Sequence, residues 1–127
     1  MSKPRILVAE DERDIRELIV FSLELSQYEV IQVPNGEEAV RIARTMLPDL
    51  ILLDVRMPKM TGYEACLALK TEQATKDIPI VFLSAKGQET EIQQGRDAGA
   101  EAYLLKPFAP DELIEKVTQI LKKYNKL

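Results

Sequence analysis

Histidine is absent from the 127 residues, and cysteine occurs once, at Cys66. The first absence removes every imidazole-based metal site, catalytic triad and general base. The second removes an internal disulfide and any zinc site built from thiolates. No apolar run approaches the roughly 18 residues of a membrane span. Met1-Ser2-Lys3-Pro4 opens the chain without the basic stretch and sustained apolar run of a secretory signal. The charge is not lopsided either. Against 17 basic residues stand 21 acidic ones, for a net charge of −4. A surface built as a whole for nucleic acid or an anionic membrane would be far more basic. Linkers and low-complexity segments are missing as well. These exclusions leave one soluble cytoplasmic domain over residues 1–127 as the expectation.

What is present suits a packed core. Hydrophobic residues make up 46% of the chain and charged ones 30%, proportions ordinary for a globular protein and too apolar for general disorder. Short apolar runs alternate with longer amphipathic segments. Ile6-Leu7-Val8-Ala9 reads as a first strand, Tyr28 to Val33 as a second, Leu50 to Leu53 as a third, Ile80 to Leu83 as a fourth and Tyr103 to Leu105 as a fifth. The third run has no alternation, which predicts a strand covered on both faces. Between them the pattern predicts helices over 11–26, 36–47, 63–71 and 89–98, and a last one opened by Pro110. Ile15, Leu18, Ile19, Ser22 and Leu25 supply the apolar spacing of the first helix. Leu113, Val117, Ile120, Leu121 and Tyr124 supply that of the last. Asn35 and Glu38 have the spacing of a capping box, and Gly99 is placed to end the fourth helix. In that fourth helix Ile92 is the only large apolar residue, which fits a mobile element with few buried contacts and equally a short, poorly amphipathic surface helix. Such alternation predicts an α/β fold, an open doubly wound parallel sheet of five strands, because a closed barrel needs about twice the length.

In an open α/β sheet, ligands bind beyond the carboxyl ends of the strands. Glu10 and Asp11 follow the first strand, Asp54 ends the third, Ser84 ends the fourth and Lys106 follows the fifth. Taken singly each has an ordinary reading: Asp11 caps a helix, Asp54 bonds loop amides, Ser84 is a loop hydroxyl and Lys106 is solvated. Their conjunction at one edge is harder to reach by accident. Three carboxylates and one ammonium leave a charge of two, which matches one divalent cation. Without a counter-ion some of the carboxyls would have to stay protonated. Oxygen donors alone favour Mg²⁺, with Mn²⁺ as a substitute. A carboxylate beside such an ion and a lysine is suited to accept a phosphoryl group.

These residues carry a resemblance. The run from Ile6 to Glu12 resembles the opening of a response-regulator receiver domain. So do Pro48 to Pro58 with Gly62, Pro79 to Ala85, Gly99-Ala100, and Tyr103 to Phe108. The likeness extends over essentially the whole chain. It implies a flavodoxin-like sheet of order 2-1-3-4-5, the order illustrated for this family as a general rule of such sheets. It also implies phosphorylation of Asp54 by a histidine kinase or histidine phosphotransfer domain. Mg²⁺ would be held by Glu10, Asp11, Asp54 and the backbone carbonyl of Arg56. Lys106, after which a cis bond to Pro107 is implied, would contact the phosphoryl group. Ser84 and Tyr103 would act as switch residues, the first bonding the phosphoryl group and the second following inward. The face made by helix four, strand five and helix five would then change for a downstream partner, an output domain or a phosphorylation-dependent homodimer. Direct nucleic-acid or membrane binding is not implied. Nor is catalysis beyond the domain's own phosphorylation and dephosphorylation.

Two positions depart from the commoner pattern. Glu10 stands where aspartate is more usual, and its extra methylene moves the carboxylate. Arg56 and Lys86 lie where the family tunes phosphoryl lifetime, and both are expected to crowd or pair across the pocket mouth, Glu10 included. Readings from other classes meet specific gaps. A haloacid-dehalogenase-type phosphohydrolase carries a second aspartate two residues after its nucleophile, where this chain has Arg56. A nucleotide or flavin module would need a glycine-rich phosphate loop after the first strand, where Glu10-Asp11-Glu12 stands instead. An inert structural domain would have no need of the intact acidic, serine and lysine set.

Overall fold

The computed structural model describes the backbone of residues 3–85 and 89–127; the side chains of 85 and 89–92 lie outside that description. Ten elements alternate along the chain: β1 (Arg5–Ala9), α1 (Arg13–Leu25), β2 (Glu29–Val33), α2 (Gly36–Met46), β3 (Leu50–Asp54), α3 (Gly62–Lys70), β4 (Ile80–Ala85), α4 (Glu89–Asp97), β5 (Ala102–Lys106) and α5 (Pro110–Lys123). The strands form one parallel sheet of order β2-β1-β3-β4-β5. The expected doubly wound architecture and strand order are thus observed.

The covering of the sheet follows from side-chain parity, since alternate residues of a strand face opposite sides. Leu7, Ile51, Leu53 and Phe82 point to one side and meet Val40 and Ala43 of α2 with Ala65 and Leu69 of α3. Ile6, Val8, Leu50, Leu52, Val81 and Leu83 point to the other and meet Ile19 and Leu23 of α1 with Leu113, Val117 and Leu121 of α5. Every residue of β3 is buried, as its unbroken apolar run predicts.

The first helix departs from its expected face. Ile19, Ser22 and Leu23 are buried, whereas Leu18, Phe21 and Leu25 are exposed. Ser22 lies inside because its hydroxyl donates to Leu18 O at 2.8 Å, so its polar group has a partner. The helix also begins at Arg13, two residues after the expected start. At α2 only half of the expected capping box forms. Asn35 Oδ1 accepts from Glu38 N at 2.9 Å, but the Glu38 carboxylate turns to Arg41. The full box belongs to α3, where Thr61 Oγ1 accepts from Glu64 N and Glu64 Oε1 accepts from Thr61 N. Gly99 ends α4 as expected, at φ 99°, with Gly99 N donating to Arg96 O and Ala100 N to Gly95 O. The expected role of Ile92 falls on a side chain outside the described residues, as does any role of Lys86.

Candidate functional site

The parallel sheet aligns its strand ends, and the expected residues converge where β1, β3, β4 and β5 stop. Ala9 pairs with Leu53 across β1 and β3, Asp54 with Leu83 across β3 and β4, and Ala85 with Lys106 across β4 and β5. This register brings Glu10, Asp54, Ser84 and Lys106 to one rim. Glu10, Asp11 and Asp54 each offer an oxygen within 4.8 Å of the others. Glu10 is fully buried and Asp54 nearly so, while Asp11 is exposed. The three therefore form a cluster buried at Glu10 and Asp54 and open to solvent at Asp11.

Local bonds hold the carboxylates in place. Glu12 N donates to Glu10 Oε2 at 3.2 Å, and Arg16 Nη1 donates to Glu10 O at 2.8 Å, so the start of α1 wraps the end of β1. Arg56 N lies 3.4 Å from Asp54 Oδ1, and Gly62 N donates to Val55 O at 3.0 Å. A Cβ on Gly62 would lie 2.3 Å from the carbonyl oxygen of Asp54, so α3 can begin this close to the site only without a side chain there.

Lys106 reaches across from β5. Its Nζ is 2.8 Å from Glu10 Oε1 and 3.4 Å from Asp54 Oδ2. The longer side chain of Glu10 thus takes the nearer contact with the ammonium. The peptide bond from Lys106 to Pro107 is cis, as the resemblance implies. Charge balance sets the titration. Burial, then the contact and charge of the facing Glu10, push the Asp54 carboxyl up to about 8, against the opposing pull of Lys106 and of Arg56 N. For Lys106 burial acts downward, but contact with Glu10 and the two carboxylate charges outweigh it and hold the ammonium above its ordinary value.

The donor set fits a hard divalent cation. All the available ligands are oxygens. Glu10 Oε1 is buried with no hydrogen-bond donor aligned to it, its contact with Lys106 being an ion pair. Lys106 supplies one positive charge to that oxygen, and the three carboxylates of the cluster still exceed it by two, the charge of one divalent cation. Ser84 is buried at the end of β4, one residue beyond the Leu83 that pairs with Asp54. Arg56 is exposed.

Tyr103 pairs with Phe82 across β4 and β5, and the two rings stack with centroids 6.4 Å apart. Phe82 in turn meets Tyr63 edge-on at 5.3 Å. This aromatic row had only its separation in sequence to reveal it, and Phe82 and Tyr63 drew no functional expectation. Elsewhere, burial lifts the lone thiol of Cys66 to about 11, and its Sγ donates to Ala98 O at 3.3 Å, so it is a core group. No helix among the described residues is long and apolar enough to cross a membrane.

Comparison with known proteins gives one answer. The family model for the response regulator receiver domain matches residues 6–118. The chain is 41% identical over 118 residues to the phosphate regulon transcriptional regulatory protein PhoB of Pseudomonas aeruginosa, covering 93% of this chain and 52% of that protein. It therefore spans about half the length of the curated relatives it matches. Among solved structures, the chemotaxis response regulator CheY4 of Vibrio cholerae superposes with a TM-score of 0.89 at 32% identity, over 94% of this chain and all of that one. The receiver domain of a sensor histidine kinase from Pseudomonas aeruginosa, solved with magnesium coordinated in its active-site cleft, superposes with a TM-score of 0.87 at 30% identity, over 93% and 97%.

Proposed function

The chain belongs to the response regulator receiver family of two-component signalling, and from that premise we propose that it is a phosphoacceptor switch working through Asp54. The donor is a phosphohistidine of a histidine kinase or a phosphotransfer domain. An Asp54 carboxylate oxygen attacks phosphorus, the bond from phosphorus to the donor nitrogen breaks, and that nitrogen leaves with the electron pair. Water later attacks the aspartyl phosphate and returns phosphate and the free carboxylate. The domain so catalyses only the making and breaking of its own acyl phosphate.

One observation carries this reading. A buried carboxyl, Asp54, lies at the open rim of the sheet, with Lys106 at 3.4 Å and Glu10 and Asp11 beside it. Lys106 would meet a phosphoryl oxygen on Asp54, and Ser84 would donate its hydroxyl to the same group. Glu10, Asp11, Asp54 and the Arg56 carbonyl would hold Mg²⁺, or Mn²⁺ in its place, which when bound neutralises charge on the carboxylates and on the transferring phosphoryl group. Tyr103 follows Ser84 and alters the face of α4, β5 and α5. That face acts in the cytoplasm on a protein partner, a further output domain or a second copy of the chain, without nucleic-acid contact by this domain itself.

The test is mass spectrometry after incubation with acetyl phosphate and Mg²⁺. One labile phosphoryl adduct is expected on the unmodified chain and none on Asp54→Asn. An adduct that persists in Asp54→Asn, or steady turnover of a phosphomonoester, would reject the reading.

A further inference from the structure

Gly95 lies inside α4, two residues before its end at Asp97, and has ordinary helical backbone. Glycine is a poor choice there, because alanine stabilises a helix interior by reducing the freedom of the unfolded chain. Conformational need does not explain it. Space does. A Cβ on Gly95 would lie 2.7 Å from Phe82 Cδ2, 2.7 Å from Tyr103 Cε1 and 2.9 Å from the Tyr103 hydroxyl oxygen. The Tyr103 phenol thus rests on the bare backbone of α4, beside the Phe82 ring with which it stacks.

We propose that Gly95 is a positioning residue for Tyr103: its missing side chain is the slot that admits the phenol between α4 and the sheet. The two obstacles a side chain would meet are unequal. Phe82 is fully buried in the core and has nowhere to go. Tyr103 is half-buried, and beyond it lies an open groove of about 320 Å³ bounded by Leu105, Glu112 and Lys116. Any side chain at 95 therefore drives the phenol outward toward that groove. Phe82 stands two residues before Ser84 on the same face of β4. The slot consequently ties the tyrosine, the strand that ends at the phosphoacceptor rim and the backbone of α4 into one unit. This inference deepens the switch reading of Tyr103 given above and rests on it for its functional meaning, though the slot itself stands on geometry alone.

The experiment compares nitration of the four tyrosines by tetranitromethane, read peptide by peptide, in the unmodified chain and in Gly95→Ala. Tyr28, buried with its hydroxyl 2.7 Å from Thr118 Oγ1, reports whether the fold is intact. Exposure of the phenol is expected to speed nitration of Tyr103 roughly threefold or more while Tyr28 stays protected. An unchanged Tyr103 rate in a chain whose Tyr28 is protected overturns the slot. Should the variant unfold, the unmodified chain decides. Nuclear Overhauser contacts between the Gly95 Hα protons and the Tyr103 ring support the slot, and their absence overturns it. Nitration of the unmodified chain with and without acetyl phosphate is read separately. No change in Tyr103 there strikes the switch reading and leaves the slot standing.

Discussion

Asp54 is the residue on which function and stability pull in opposite directions. A nucleophile must be ionised, yet burial and the facing Glu10 hold this carboxyl up to about 8. The folded value lies above the ordinary carboxylate value of an unfolded chain, so the folded state binds more protons between them. Stability is then greatest below about pH 4 as far as this group is concerned, and is lost as pH rises toward about 8. In the presence of a chelator, Asp54→Asn is expected to be more stable than the unmodified chain at pH 8, by on the order of 1–2 kcal/mol once water at the open rim screens the repulsion. The gain should shrink toward zero as the pH falls to about 4. Urea denaturation of both chains across that range measures it, and parallel pH profiles would refute it. The residues of this site were legible because a parallel sheet gathers whatever follows each strand. The partner of Lys106 was not. Its nearer approach to Glu10, 2.8 Å against 3.4 Å to Asp54, depends on the length of one side chain and on the depth at which it is buried.

At the scale of elements, helix ends are set by local bonds and can be tested singly. Asn35 Oδ1 satisfies Glu38 N at the start of α2, so Asn35→Ala should cost about 1 kcal/mol. The start of α5 offers the reverse experiment. Glu112 Oε1 already accepts from Ala109 N at 3.0 Å, but alanine has no oxygen with which to return the bond. Ala109→Ser is expected to complete the box and stabilise the protein by roughly 0.5–1 kcal/mol in chemical denaturation. No gain would mean that the Ala109 backbone is not held in the capping geometry. The same locality explains what could be read of the elements. Strand β3 and the stripe of α5 were plain because each has a single consistent period. Helix α1 misled because it carries apolar residues around most of its circumference. Leu25, six residues beyond Ile19, lies about 240° around the helix and faces solvent. The hydroxyl of Ser22 is absorbed by its own helix, so a polar residue sits on the inner face. The seat of Tyr103 was not visible at all. Gly95 is recognisable as a slot only when α4 is laid beside β4 and β5, since its neighbours in space are Phe82 and Tyr103.

The whole molecule enters through the way the site is assembled. Glu10 and Asp11 come from the end of β1 and Asp54 from the end of β3, and the Lys106 that pairs with Glu10 and Asp54 comes from β5 at the far edge of the sheet. Their oxygens converge only when the central strands are in register, with Ala9 opposite Leu53. The unfolded chain holds Asp11 and Asp54 forty-odd residues apart, so it presents no comparable site. A cation that binds the convergent carboxylates must therefore stabilise the folded sheet as a unit. Above its dissociation constant, each tenfold rise in Mg²⁺ should add about 1.4 kcal/mol to the unfolding free energy. The dependence should weaken in Asp54→Asn, which loses one anionic ligand but keeps the fold. Thermal unfolding against Mg²⁺, with sodium chloride at matched ionic strength as the control, reads this directly. Ordinary screening of the 21 acidic residues would act alike for both salts and both chains. A shift that belongs to Mg²⁺ and diminishes with Asp54 can arise only where the ends of β1 and β3 meet. Equal shifts for the two salts would show that the convergence seen at the rim holds no cation.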